Sequence, residues 1–151
     1  MKVAKAIGLL ALVGLMSACG GGGDEAGDVG EMSVTPSAFK WTVPSCGTRG
    51  TGDTVHTIVG GQPPFRIHTS EPDIFEFGIH QIVGGVRQFV PLAVGGDGVV
   101  ELRGKDPQFV VRTHFGLGCV NPATIIVLDF HSQNVVVEYT IEEEEEEAVE
   151  P

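Results

Sequence analysis

The sequence is poor in positive charge, in aromatic residues, in long apolar runs and in the common signatures of catalysis. Only nine of 151 residues are Lys or Arg, against twenty Asp or Glu, for a formal charge of −11. The imbalance sits in the flanks, because between Ser33 and Ile141 seven basic residues face nine carboxylates. Such a near-neutral body offers no broad positive field to a phosphate backbone, which sets nucleic acid aside as a partner. No Gly-x-Ser-x-Gly, His-Glu-x-x-His, phosphate loop or dinucleotide fingerprint occurs, so the expectation is a protein that is not an enzyme and carries no cofactor. No segment repeats its apolar residues with a period of 3.6, which argues against a helical body. The longest leading apolar run, Ala6 to Met16, falls well short of the roughly 20 residues that span a bilayer.

What is present begins at the amino terminus. Met1 to Lys5 supplies a short positive end and Ala6 to Met16 an apolar stretch, followed by the small residues Ser17 and Ala18 and then Cys19. This is the layout of a secretory signal. The stretch Leu15-Met16-Ser17-Ala18-Cys19-Gly20 resembles the lipobox of bacterial lipoproteins, with Met16 where that family usually places leucine. The resemblance implies cleavage after Ala18 and acylation of Cys19, including a palmitate-type chain, as a membrane anchor. Each buried lipid methylene contributes about 0.8 kcal/mol and one chain alone binds only marginally, so several chains are what makes such an anchor firm. Gly20, in place of Asp, implies the outer membrane if the host is Gram-negative.

Acylation of Cys19 leaves Cys46 and Cys119. In an exported chain these meet conditions under which disulfides persist, and pairing is expected, with two free thiols as the alternative. The bridge would close residues 47–118, worth about 4 kcal/mol in the chain-entropy model.

Residues 19–32 are rich in glycine and acid with almost nothing to bury, which reads as a flexible tether holding a domain on the order of 20 Å from the lipid. Residues 142–151 open with six consecutive glutamates and read as an acidic, disordered tail. Between them, residues 33–141 consist of short β-branched and aromatic runs punctuated by Gly, Pro, Asn and Asp. Strands are expected near Phe39–Val43, Thr54–Val59, Phe65–Thr69, Ile74–Phe77, Val86–Leu92, Val99–Arg103, Phe109–Phe115, Thr124–Phe130 and Asn134–Ile141. Eight or nine such strands predict an all-β, two-layer sandwich. Alternation puts Val135, Val137, Tyr139 and Ile141 on one face, and Phe109, Val111, Thr113 and Phe115 on one face opposite Arg112 and His114. Thr124 to Leu128 is apolar on both faces, which suits a central covered strand, or else an interface. Gly95 to Gly98 and His131 to Asn134 look like hairpin connections.

Val59-Gly60-Gly61-Gln62-Pro63-Pro64-Phe65-Arg66-Ile67 is similar to a corner of bacterial immunoglobulin-like surface repeats, where one strand ends and the next opens on an aromatic core residue. Ser70-Glu71-Pro72-Asp73-Ile74 and the region from Ala123 to Val137 also look like landmarks of those repeats. The resemblance implies an immunoglobulin-like sandwich used for spacing, adhesion or assembly. The segment His80–Phe109 and the cysteine pair match no landmark of that family.

For chemistry, the best catalytic candidates are Cys119, His114 and Asp129, which cysteine pairing would disable. The histidines His56, His68, His80, His114 and His131 are scattered singly and predict no metal site. His56 and His68 lie in runs expected to form a hairpin, which would let them meet on one outward face, but ordinary separate surface histidines are the favoured expectation. A ligand-binding alternative would use exposed aromatics such as Trp41, or the His80–Phe109 segment, to hold a glycan or cell-wall component.

Overall fold

The computed structural model describes residues 30–105 and 107–145. The signal, Cys19 and most of the expected tether lie outside the described residues, as does the end of the acidic tail. Ten strands form the domain: β1 (Ser33–Thr35), β2 (Ala38–Val43), β3 (Thr51–Val59), β4 (Phe65–Thr69), β5 (Phe75–Val83), β6 (Val86–Pro91), β7 (Val100–Leu102), β8 (Gln108–His114), β9 (Val120–Leu128) and β10 (Asn134–Glu143). No α-helix occurs among the described residues, and one 3-10 turn, Phe115–Leu117, follows β8.

The strands make two five-stranded sheets, in the orders β1-β3-β8-β5-β6 and β2-β10-β9-β4-β7. All pairings are antiparallel except β2 with β10. The chain changes sheet repeatedly, at Pro36 between β1 and β2, between β2 and β3, and again through Gly60 to Pro64 between β3 and β4. The domain is therefore an all-β, immunoglobulin-like sandwich.

Period-two alternation explains the core. Phe109 and Val111 of β8 face Val137, Tyr139 and Ile141 of β10, with Ile58, Phe65, Ile67, Val100, Ile125 and Val127 filling the space between the layers. Each such side chain contributes about 1.5–3 kcal/mol by leaving water. Phe65, the first residue of β4, is fully buried, and β3 ends six residues earlier at Val59, as the turn chemistry of Gly60 to Pro64 predicts.

Several boundaries differ from those expected. Met32 lies in the core and its amide donates to Gln133 Oε1 at 3.2 Å, so packing begins before Ser33. At the other end β10 runs on through Glu142 and Glu143, beside Thr42 and Val43. An ion pair of Glu142 with Lys40 and a hydrogen bond from the Cys46 amide to Glu143 Oε1, 2.9 Å, hold those two glutamates in the strand. β9 is central, between β10 and β4, and buries Ile125 and Val127. Its outer face is not covered, for Ile126 is 37 % and the neighbouring Val136 45 % exposed.

Candidate functional site

Cys46 and Cys119 are joined in a disulfide with Cα atoms 5.1 Å apart. It ties the loop after β2 to the segment entering β9, at one end of the sandwich. The candidate catalytic trio is not assembled. Cys119 has no thiol to offer, and Asp129 sits beyond the opposite end of β9, a nine-residue strand about 30 Å long at 3.3 Å per residue. There the fully buried Asp129 carboxylate accepts from the Gln133 amide at 2.8 Å and the Gln62 amide at 3.0 Å. It fastens the β9–β10 turn to the crossing between β3 and β4. His114 instead approaches Glu76, at 3.5 Å.

The expectation for His56 and His68 is corrected. β3 and β4 belong to different sheets, because Gly60 to Pro64 carries the chain across the sandwich instead of turning a hairpin. His56 shares the inward face of β3 with Thr54 and Ile58 and is fully buried. Its ring stacks on Phe109, centroids 5.1 Å apart at 19°. Nδ1 lies 2.9 Å from Pro36 O, which can only accept, so Nδ1 carries the proton and Nε2 accepts from the Tyr139 hydroxyl. One neutral imidazole thus links β3, β10 and the crossing between β1 and β2. Burial lowers the His56 pKa and raises that of Tyr139.

Trp41 is also not the exposed aromatic that a glycan platform requires. It is half-buried against Phe39 and Phe115, with ring centroids at 5.0 and 5.2 Å. A Cβ on Gly52 would lie 2.6 Å from its ring. Among the described residues no group of three or more His, Cys, Asp and Glu is placed to hold a metal ion.

The polar cluster that the fold does assemble lies on the outer face of the first sheet. Outward positions of β3, β8 and β5 align Asp53, Arg112 and Glu76 in one row. Arg112 donates to both carboxylate oxygens of Asp53, from Nε at 2.8 Å and Nη2 at 2.9 Å. This bidentate pair holds the Asp53 carboxyl below its usual range, with a smaller contribution from His80, whose Nε2 is 3.3 Å from Oδ2. The Arg112 guanidinium carbon sits 3.8 Å from the centroid of Phe89, a cation–π contact.

Phe89 and His80 arrive on an overhanging arm. β5 pairs with β8 only from Phe75 to Gly78, while the β5–β6 pairing continues to Val83 and Val86 at the hairpin tip. Gly78 permits this departure, since a Cβ there would meet the Phe89 ring at 2.4 Å and the Val90 carbonyl at 2.6 Å. The paired residues His80 with Phe89 and Ile82 with Arg87 share one arm face. Contacts of His80 with Asp53 and of Phe89 with Arg112 turn that face toward the sheet, and Val110, at an outward position of β8, is only 2 % exposed.

Beside this closure the arm leaves a groove of about 350 Å³, with Val55, Val110, Ile79 and Ile82 as its apolar walls and Arg87 and Gln108 at its polar rim. Ile82 remains 68 % exposed and the tip residues Val83 and Val86 49 % and 60 %. A larger cavity of about 570 Å³ near Arg49 and Asp73 is wide open to solvent. A smaller one of about 210 Å³, at the sandwich edge beside Phe75, Phe77 and Val100, is mostly apolar. Sequence reasoning marked His80–Phe109 as unaccounted for but not the arm, whose only local signal is Gly84-Gly85 between apolar residues.

No protein-family model matches the chain, and no curated protein matches it. Among solved structures it is similar to the ASH/PapD-like domain of human CEP192, PapD-like domain 7, at 7 % identity with a TM-score of 0.41. That alignment covers 96 % of this chain and 97 % of the other.

Proposed function

We propose that this chain is a lipid-anchored protein of the bacterial cell envelope, in which the immunoglobulin-like domain is a non-enzymatic interaction or structural module. The observation that carries the reading is the fate of the cysteines. Cys46 and Cys119 satisfy each other, so the third, Cys19, is the odd one, and it stands directly behind a signal-like stretch and two small residues. A disulfide between two loop residues also suits an exported protein, since such bonds persist outside the reducing cytoplasm. The non-enzymatic part rests on the loss of the Cys119 thiol and the commitment of Asp129 to two backbone amides. In a Gram-negative host the expected address is the outer membrane.

Globomycin, which blocks lipoprotein signal cleavage, provides the test. Treated cells should accumulate precursor that retains residues 1–18, and normal processing in the drug would remove the lipoprotein reading. A second reading, a ligand-binding lipoprotein, is favoured by one observation: the groove under the β5–β6 arm keeps apolar walls exposed beside a charged rim.

A further inference from the structure

We infer that the groove beneath the β5–β6 arm is a binding site for a small amphipathic monocarboxylate, with the aliphatic part against Val55 and Ile82 and the carboxylate on Arg87. This inference rests on the ligand-binding reading of the domain.

Three features of the groove point the same way. Its volume, about 350 Å³, lies at the lower end of small-molecule sites, roughly 300–1,000 Å³, so it suits a ligand of a few carbons and not an oligosaccharide. The walls are aliphatic and poorly covered, for Val55 is partly exposed on the sheet and Ile82 lies open on the facing arm. Burying exposed aliphatic surface drives association with an apolar ligand body.

Charge supplies the second half of the recognition. Arg112, the nearby cation on the same sheet face, is already paired with Asp53 and lies over the Phe89 ring. The Arg87 side chain, across the arm from Ile82, makes no hydrogen bond or ion pair with any described residue. Its guanidinium is always charged and matches a carboxylate with two parallel donors. The other rim groups do not compete for it. Gln108 donates to Thr57 Oγ1 at 3.2 Å, and His80 is directed at Asp53. The Asp53 carboxylate is already paired with Arg112.

The geometry also explains the arm. Gly78 and the Phe89–Arg112 and His80–Asp53 contacts hold the hairpin over the sheet, so Val55 and Ile82 line the groove before a ligand arrives. Preorganisation of this kind lowers the cost of binding.

The test uses the full chain, purified with its disulfide intact and held in nanodiscs if it carries lipid. Hexanoate is titrated against it, with 1-hexanol as the neutral probe, and amide shifts and heats are recorded against empty nanodiscs. Hexanoate should give saturating shifts at Val55, Ile82, Arg87 and Gln108. Hexanol, and hexanoate on the Arg87→Gln variant, should bind roughly ten- to hundredfold more weakly, the worth of a hydrogen bond to a charged group. The Ile82→Ser variant should weaken hexanoate several-fold. Both substituted residues are exposed, so the variants keep the fold. Equal affinity of native chain and Arg87→Gln, or of hexanoate and hexanol, overturns the carboxylate assignment while leaving an apolar groove. Linear, unsaturated shifts with both probes overturn the ligand-binding reading as well.

Discussion

His56 is the place where one substitution most sharply tests the account of the core. Replacement by Leu keeps an apolar side chain of similar size against Phe109 but removes the donor to Pro36 O and the acceptor for the Tyr139 hydroxyl. The orphaned Tyr139 hydroxyl, fully buried, costs about 1–3 kcal/mol and the part-buried Pro36 O somewhat less, and the gain from a fully apolar side chain offsets part of this. The net loss expected for His56→Leu is about 3 kcal/mol, a large share of a total stability of roughly 5–15 kcal/mol. Tyr139→Phe alone strands His56 Nε2 and should cost about 1–3 kcal/mol. The double variant leaves neither member of that pair stranded, so its loss should fall short of the sum of the single losses by at least ~1 kcal/mol. Urea unfolding followed by circular dichroism measures all four proteins. Additivity within about 0.5 kcal/mol would refute the hydrogen-bonded pair. The same pair fixes a pH signature. Because burial lowers the His56 pKa, only the unfolded chain takes a proton just below its usual pKa of about 6.5. The stability it supports is complete above that pH and is lost as the pH falls toward the folded-state pKa. The loss should be absent from this position in His56→Leu. Asp53 acts in a separate window, since its carboxyl is lowered from 3.8 and its contribution disappears only at more acid pH.

Other perturbations report on other parts of the structure. Reducing the Cys46–Cys119 bridge, or replacing both cysteines by serine, should lower stability by about 2–4 kcal/mol in urea unfolding with and without reductant; an unchanged midpoint would contradict the bridge. Asp129→Ala should cost about 1–3 kcal/mol, because two part-buried amides lose their carboxylate acceptor, and faster amide exchange at Gln62 and Gln133 should accompany the loss. Gly78→Val forces a side chain into Phe89 and the Val90 carbonyl. It should cost about 1–3 kcal/mol and detach Phe89 from Arg112, seen as altered shifts at both residues with the core unchanged.

Much of the sandwich was legible in the residues because alternation is strong where one face is wet. β10 shows it best: Val137, Tyr139 and Ile141 are buried as expected, and all nine expected strands are present with ends shifted by a few residues. β1 escaped because three residues with one inward side chain, Val34, make no pattern. β9 starts at Val120 instead of Thr124 because Pro122 reads as a breaker. The structure admits it where the pairing with β10 shifts register between Tyr139 and Ile141. β5 extends through Gly78 to Val83 for the complementary reason, a glycine that bends a strand without ending it.

The site was less legible because it depends on which strands share a sheet. Nothing local distinguishes a glycine–proline turn that closes a hairpin from one that crosses between layers, and the placement of His56 followed from that choice. The Asp53–Arg112 pair joins residues 59 positions apart in sequence. The arm was hidden because Ile82, Val83 and Val86 look like core residues and are not.

The measurement that tests the central claim most directly is the intact mass of the mature chain extracted from its host membranes, with fragmentation of its first residues. The account predicts a chain that begins at Cys19 and carries diacylglyceryl and acyl groups on that residue, with Cys46 and Cys119 two hydrogens lighter. A mature chain that begins at Met1, or one whose Cys19 bears no lipid, would contradict it.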